Sequence, residues 1–251
     1  TGSVTSAQNI IKCCNQSGLD VEDIVLEPLS SSQAVLSPDE QEVGVVLVDI
    51  GGGTTDVTIY SEGSIVHTAV LALGGNHLTH DIAIGLGAPL HEAEEIKHKY
   101  GVAMSTMVEE DEMIDVPSVG GRNNRTMQKR VLASIIEDRF REIFELIAHE
   151  IEKTHFHTLM ASGVVITGGT CIMPGADMLA SQVLNLPVRV GYPENIAGLR
   201  EMIYSPKYAT SVGLVRYGIT SNQGKLNFVG DDTNLFHKVS RRMKDWMQDF
   251  F

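Results

Sequence analysis

Apolar positions along this chain follow two periods, and the switch from one to the other marks out its elements. Val45-Val46-Leu47-Val48 is an unbroken apolar run, the pattern of a short strand buried on both faces. It predicts a strand over Gly44–Asp49, a second over Val57–Tyr60 and a third over Ile65–Leu71. Further strands are expected at Asp23–Leu26, Met113–Pro117, Gly163–Thr167 and Val188–Val190. Helical spacing governs other stretches. Ser6–Ser17 turns Ala7, Ile10, Ile11 and Cys14 inward and is stopped by Gly18. Ser30–Leu36, Asn76–Ile84, Leu90–Tyr100, Ala176–Leu184 and Tyr208–Tyr217 also read as helices. The longest is Arg130–Lys153, with Leu132, Ile135, Ile136, Phe140, Ile143, Phe144 and Ile147 on its apolar side. Ser105–Asn124 is irregular around its one strand, and acidic from Glu109 to Glu112. Strands alternating with helices predict an α/β fold.

The last stretch follows a different rule. Leu235, Phe236, Val239, Met243, Trp246, Met247 and Phe250 form one helical stripe, with Lys238, Arg241, Arg242 and Lys244 beside or opposite it. Aromatic residues flanked by Lys and Arg make the composition of a helix lying in a membrane interface. The same stripe would also suit a helix docked on the protein's own body. A polar spacer over 218–234 separates it from the last packed helix, which favours action at a distance.

Charge divides the chain in the same place. The 251 residues carry a formal net charge of −13. Residues 235–251 are net +2, leaving −15 on the remainder, so only the tail is attracted to anionic phospholipid. No basic patch with interleaved aromatics occurs, and nucleic acid is not an expected partner. At 43% hydrophobic residues the chain can bury a good core, and two lobes are expected. No apolar run reaches the length of a bilayer-spanning helix. Three cysteines, two of them adjacent at Cys13 and Cys14, give neither a disulfide framework nor zinc spacing, which fits a reducing compartment.

The candidate chemistry sits where the first buried strand ends. Asp49 is followed by Ile50, then Gly51-Gly52-Gly53-Thr54-Thr55-Asp56. Glycines in a row let the backbone turn sharply, expose its N–H groups and approach a ligand closely. The result is a hairpin tip suited to anionic oxygen, with Asp49 placed to hold a cation through water, as a nucleoside triphosphate with Mg²⁺ requires. No Lys and helix follow the glycines, so this is not a Walker loop, and no helix opens there as in the Rossmann fingerprint. A second buried strand ends in Gly168-Gly169-Thr170. Glu94 and Lys97 share one helix face at i,i+3, a spacing that equally describes a surface ion pair.

In this order the motifs resemble those of the actin-like ATPases. The hairpin resembles their second phosphate loop, Gly168-Gly169-Thr170 their adenosine loop, and Glu94 with Lys97 their ribose-contacting Glu-x-x-Lys. Glu27-Pro28 matches their first connecting segment, whose Glu lies near the attacking water. Within that superfamily, Asp23-Ile24-Val25-Leu26-Glu27-Pro28-Leu29, Leu73-Gly74-Gly75-Asn76-His77-Leu78-Thr79-His80-Asp81, Ala209-Thr210-Ser211-Val212-Gly213-Leu214 and the terminal helix resemble the FtsA family, the bacterial cell-division homologues of actin.

The resemblance implies an incomplete actin-like ATPase fold with an inserted α+β subdomain and a C-terminal amphipathic helix. Residues 1–43 would complete a first lobe, 44–76 and 160–200 form the second-lobe core, 77–159 the insertion, and 201–217 a helix returning to the first lobe. The chain looks like the C-terminal three-fifths of a longer protein, lacking the first phosphate loop. The cofactors implied are ATP and Mg²⁺. The partners implied are the FtsZ C-terminal peptide, further copies of the protein, other division proteins and anionic membrane, at the cytoplasmic face of the inner membrane at the division site. Arg122, Arg125, Lys129 and Arg130 are candidates for meeting the peptide, though such residues also suit a solvated helix start. An adaptor with at most slow ATP hydrolysis is expected. A turning-over chaperone-like ATPase or small-molecule kinase on the same superfold is the alternative.

Overall fold

A computed structural model describes residues 4–118, 124–154, 161–194 and 200–226. The terminal stripe and Arg122 lie outside the described residues. At the centre is β1 (Val45–Ile50), whose residues are all buried, as the unbroken apolar run predicts. It pairs antiparallel with β2 (Thr55–Ser61), which pairs antiparallel with β3 (Ser64–Leu71). On its other side β1 runs parallel to β6 (Val164–Thr167), which is parallel to β7 (Val188–Val190). The five-stranded sheet therefore has the order β3-β2-β1-β6-β7.

Alternation along β1 feeds two cores. Val46, Val48 and Ile50 face a large cluster built from α4 (Gly75–Leu86), α5 (Leu90–Tyr100), α6 (Lys129–Lys153) and α7 (Ala176–Leu184). Phe140 and Phe144 of α6 stack there with ring centroids 5.6 Å apart. Val45 and Leu47 face a smaller cluster with Ala34 and Val35 of α2 (Glu27–Val35) and Ala209, which opens α9 (Ala209–Leu226). Where α9 passes α2, a Cβ on Gly213 would lie 1.8 Å from the Ser30 carbonyl oxygen, so only glycine fits. Asp49 falls on this second face, at the end of β1.

Several sequence expectations are corrected. Asp23–Leu26 is not a strand: Ile24 and Leu26 are exposed, and the Ile24 amide bonds the Asp23 carboxylate at 2.8 Å. A β-prone tetrapeptide without a neighbouring edge gains no ladder. The helix expected from Ser30 starts at Glu27 instead, with Pro28 in its first turn, where a missing N–H is harmless. The first helix, α1 (Val4–Gln16), forms, but no residue of it is buried and Ile10 is 57% exposed. An unexpected helix, α3 (Pro38–Val43), is held by a capping box between Ser37 and Glu40. Between α5 and α6, β4 (Met113–Val116) pairs with an unforeseen β5 (Arg125–Gln128). Finally, α9 continues to Leu226, through the first part of the stretch expected to be a spacer. The chain divides into two compact units at Leu214/Val215, and the second is described only along this helix.

Candidate functional site

The hairpin between β1 and β2 is tight and pinned from behind. The Gly51 amide donates to Thr54 O at 2.9 Å, closing the turn. Gly51 O accepts from the Gly75 amide at 2.9 Å and from Thr170 Oγ1 at 2.9 Å, while Gly52 O accepts from the Asn76 amide at 2.7 Å. These contacts fix the carbonyls inward and leave Gly52, Gly53 and Thr54 exposed at the tip. A Cβ on Gly52 would meet only the Asn76 side chain, at 3.5 Å, and one on Gly53 nothing within 4 Å, so the space over the tip is open. Thr55 plays another part from the one its neighbours suggest. It is fully buried and donates its hydroxyl to Leu73 O at 2.8 Å, a structural link rather than a ligand contact.

A cleft of about 380 Å³ opens beside the tip, lined by Gly52, Gly75, Asn76, Glu94, Lys97, His98, Gly101, Gly169, Thr170, Ile172, Met173, Pro174 and Lys207. It unites Gly52, Glu94, Lys97, Gly169 and Thr170, which the sequence nominates from three separate stretches. Gly168 stands just behind, at φ 93, where a Cβ would collide with Ile50 O at 2.4 Å. Glu94 lies 2.7 Å from Lys97 Nζ, and Glu94 Oε1 lies 3.0 Å from His98 Nε2. Burial opposes the Glu94 carboxylate, but hydrogen bonds from Lys97 and Thr79 outweigh it and hold its pKa below the usual range. Ile172, Met173 and Pro174 make the facing wall apolar.

Asp49, Glu27 and Asp56 stand together on the α2 side of the sheet, not among the residues lining the cleft. Asp49 is 6% exposed and accepts from Ser31 Oγ at 2.6 Å. Thr210 Oγ1 lies 3.4 Å from both Asp49 Oδ2 and Glu27 Oε1, and 3.0 Å from Ser31 Oγ. Burial raises the Asp49 pKa against the pull of those hydroxyls. Burial also raises Glu27, with the nearby Asp49 adding to it. Asp56, opposite Asp49 across the hairpin, is pushed up to about 6 by burial and then by Glu27 and Asp49. Among the described residues no group of three or more His, Cys, Asp or Glu side chains is disposed to hold a metal ion.

Ser31, Thr210, Gly75, Asn76, His98 and Lys207 are site residues that the sequence reasoning missed. Ser31 and Thr210 reach Asp49 across 18 and 161 residues, a juxtaposition that no local pattern reports. Gly75 and Asn76 fall within the stretch that resembles FtsA, and that was their one signal.

Of the basic candidates, the three among the described residues, Arg125, Lys129 and Arg130, are engaged. Arg125 Nη2 donates to Leu86 O, Lys129 Nζ lies 2.7 Å from Glu112 Oε1, and Arg130 Nη1 lies 3.4 Å from Glu110 Oε1. These pairs reduce the positive charge available to a peptide at that surface.

A glycine-tipped hairpin and a second glycine turn flanking one cleft, on a sheet with helices on both faces, define a protein of the actin-like fold. Solved structures agree. The crystal structure of MreB5 of Spiroplasma citri bound to ADP is similar with a TM-score of 0.72 and 18% identity, covering 90% of this chain and 68% of that one. A MamK double helical filament is similar with a TM-score of 0.64 and 14% identity, covering 86% of this chain and 65% of that one. Residues 46–213 match the family model for the cell division protein FtsA. FtsA of Pseudomonas aeruginosa is 41% identical over 256 residues, covering 100% of this chain and 61% of that protein. FtsA of Escherichia coli K12 is 39% identical over 253 residues, covering 98% and 60%. The chain belongs to the FtsA family of cell division proteins, and it spans about three fifths of the length of these curated relatives.

Proposed function

We propose that the chain is part of an ATP-binding, self-assembling adaptor that tethers the FtsZ ring to the cytoplasmic face of the inner membrane at the division site. The observation that carries the reading is the cleft, where an exposed glycine tip, an apolar wall and a carboxylate meet within one nucleotide's reach.

The residues present fit ATP with Mg²⁺. Gly52, Gly53 and Thr54 offer backbone amides to the β- and γ-phosphates, with Gly51 shaping the turn. Ile172, Met173 and Gly169 receive the base and Glu94 a ribose hydroxyl. Asp49 would hold Mg²⁺ through water, and Glu27, its pKa raised by burial, would orient a water toward the phosphate. The bound nucleotide supplies a triphosphate whose state governs assembly. The MreB5 structure of the same fold was solved with ADP, and MamK as a filament, which supports both halves of the reading. A heterologous contact that repeats head to tail would build the polymer. The insertion is the proposed seat of the FtsZ peptide, and the stripe from Leu235 to Phe250 the membrane anchor.

Calorimetric titration of the full-length protein with Mg-ATP tests the site. A Cβ at position 52 makes only ordinary contact with Asn76, at 3.5 Å, and the methyls of a Gly52→Val side chain are expected to fill the space over the tip. That variant is expected to fold with the parent's circular dichroism and melting profile and to lose measurable ATP binding. Unchanged affinity would remove the hairpin tip from the phosphate site.

A further inference from the structure

Lys97 is the one buried cation lining the cleft among the described residues, yet its ammonium is bonded to the protein itself. It is 8% exposed, and Nζ donates to Gly75 O at 3.1 Å, Thr79 Oγ1 at 2.8 Å and Glu94 Oε2 at 2.7 Å. An ammonium has three donors, and these acceptors use all of them. Thr79, 5% exposed, does not line the cleft but stands at the centre of this network. It accepts from Lys97, and its own proton goes to Gly75 O or Glu94 Oε2.

Gly75 is the junction. Its carbonyl receives Lys97 and Thr79, while its amide donates to Gly51 O in the hairpin. Gly51 O also takes the hydroxyl of Thr170 from the second glycine turn. There is no room for slack: a Cβ on Gly75 would lie 2.6 Å from Thr170 Oγ1, and one on Gly74 would lie 2.6 Å from Gly51 O. One continuous set of hydrogen bonds therefore joins the hairpin tip, the start of α4, the Glu94 wall and the glycine turn after β6.

We propose that Thr79 is a positioning residue which, through Lys97 and Gly75, couples the Glu94 side of the cleft to the phosphate hairpin without touching the nucleotide. The inference rests on the nucleotide reading of the cleft. Lys97 thereby acts as a buried strut in the wall of the cleft it lines. Coupling of this kind makes the two halves of one ligand reinforce each other, because a wall ordered by one end is already placed for the other.

The test compares parent, Thr79→Val and Thr79→Ser full-length protein. Valine keeps the shape and removes the oxygen, leaving a buried Lys97 proton unsatisfied; with the link between the two sides broken, ATP affinity is expected to fall about 10-fold, a coupling of ordinary size. Adenosine affinity is expected to stay within about 2-fold, since one wall alone does not need the link. Serine restores ATP binding. In the nucleotide-free protein, amide hydrogen exchange at residues 51–54 rises in Thr79→Val while exchange in β1 and α6 is unchanged. Equal losses for ATP and adenosine, or faster exchange throughout, would reduce Thr79 to a merely structural residue and overturn the proposal. Parent-like ATP binding by Thr79→Val would overturn it too. A parent that binds no ATP would instead overturn the nucleotide reading, and the inference with it.

Discussion

At the scale of single residues, the clearest electrostatic feature is the trio of acids beside the hairpin. Glu27, Asp49 and Asp56 all have raised pKa values, led in each case by burial, and Asp56 reaches about 6. An acid whose pKa is higher folded than unfolded binds more protons in the folded state. Its stabilising effect is complete below the ordinary carboxylate range and is lost as pH rises through about 6. Asp56→Asn removes that dependence. The variant's melting temperature relative to the parent, measured without Mg²⁺ or nucleotide, is expected to climb as pH rises from about 4 to about 7. A constant difference across that range would mean the Asp56 carboxyl is not held up.

At the scale of elements, the start of α4 decides the shape of the cleft, because its amides hold the hairpin from behind. A methyl on Gly74 would press on Gly51 O and Gly52 O at 2.6 and 2.8 Å. Gly74→Ala is therefore expected to destabilise the protein by about 1–3 kcal/mol in urea unfolding. A loss under about 0.5 kcal/mol would show that the junction can move freely. Where an element's own residues determine it, the sequence was readable. The apolar run of β1 and the long stripe of α6 both form at nearly their expected bounds. Where the outcome depends on a distant partner, it was not. Residues 23–26 have strand composition but no edge to join, and β5 exists because Met113–Val116 lies beside it. The capping box that starts α3 is a local signal, carried by Ser37, Pro38 and Glu40 alone. The site divides likewise: its glycine turns were legible, while Ser31 and Thr210 come to Asp49 through tertiary packing.

At the scale of the whole molecule, charge and apolarity are distributed so that different parts meet different surroundings. The acidic body has no attraction to anionic lipid, and no helix among the described residues is long and apolar enough to cross a membrane. In the proposed function, attachment falls to the terminal stripe, which lies outside the described residues. A single short interfacial helix binds lipid weakly. A polymer presents many such helices at once and gains affinity without any new contact. Nucleotide binding, assembly and membrane attachment should therefore appear together. Electron microscopy of the full-length protein on an anionic lipid monolayer tests this most directly, with Gly52→Val and Trp246→Glu proteins beside it. Filaments on the lipid are expected for the parent with ATP, and none without nucleotide or with either variant. Persistent absence of filaments from the parent with ATP, or filaments from Gly52→Val protein equal to the parent's, would contradict the reading of this chain as part of a nucleotide-driven, membrane-bound actin-like adaptor.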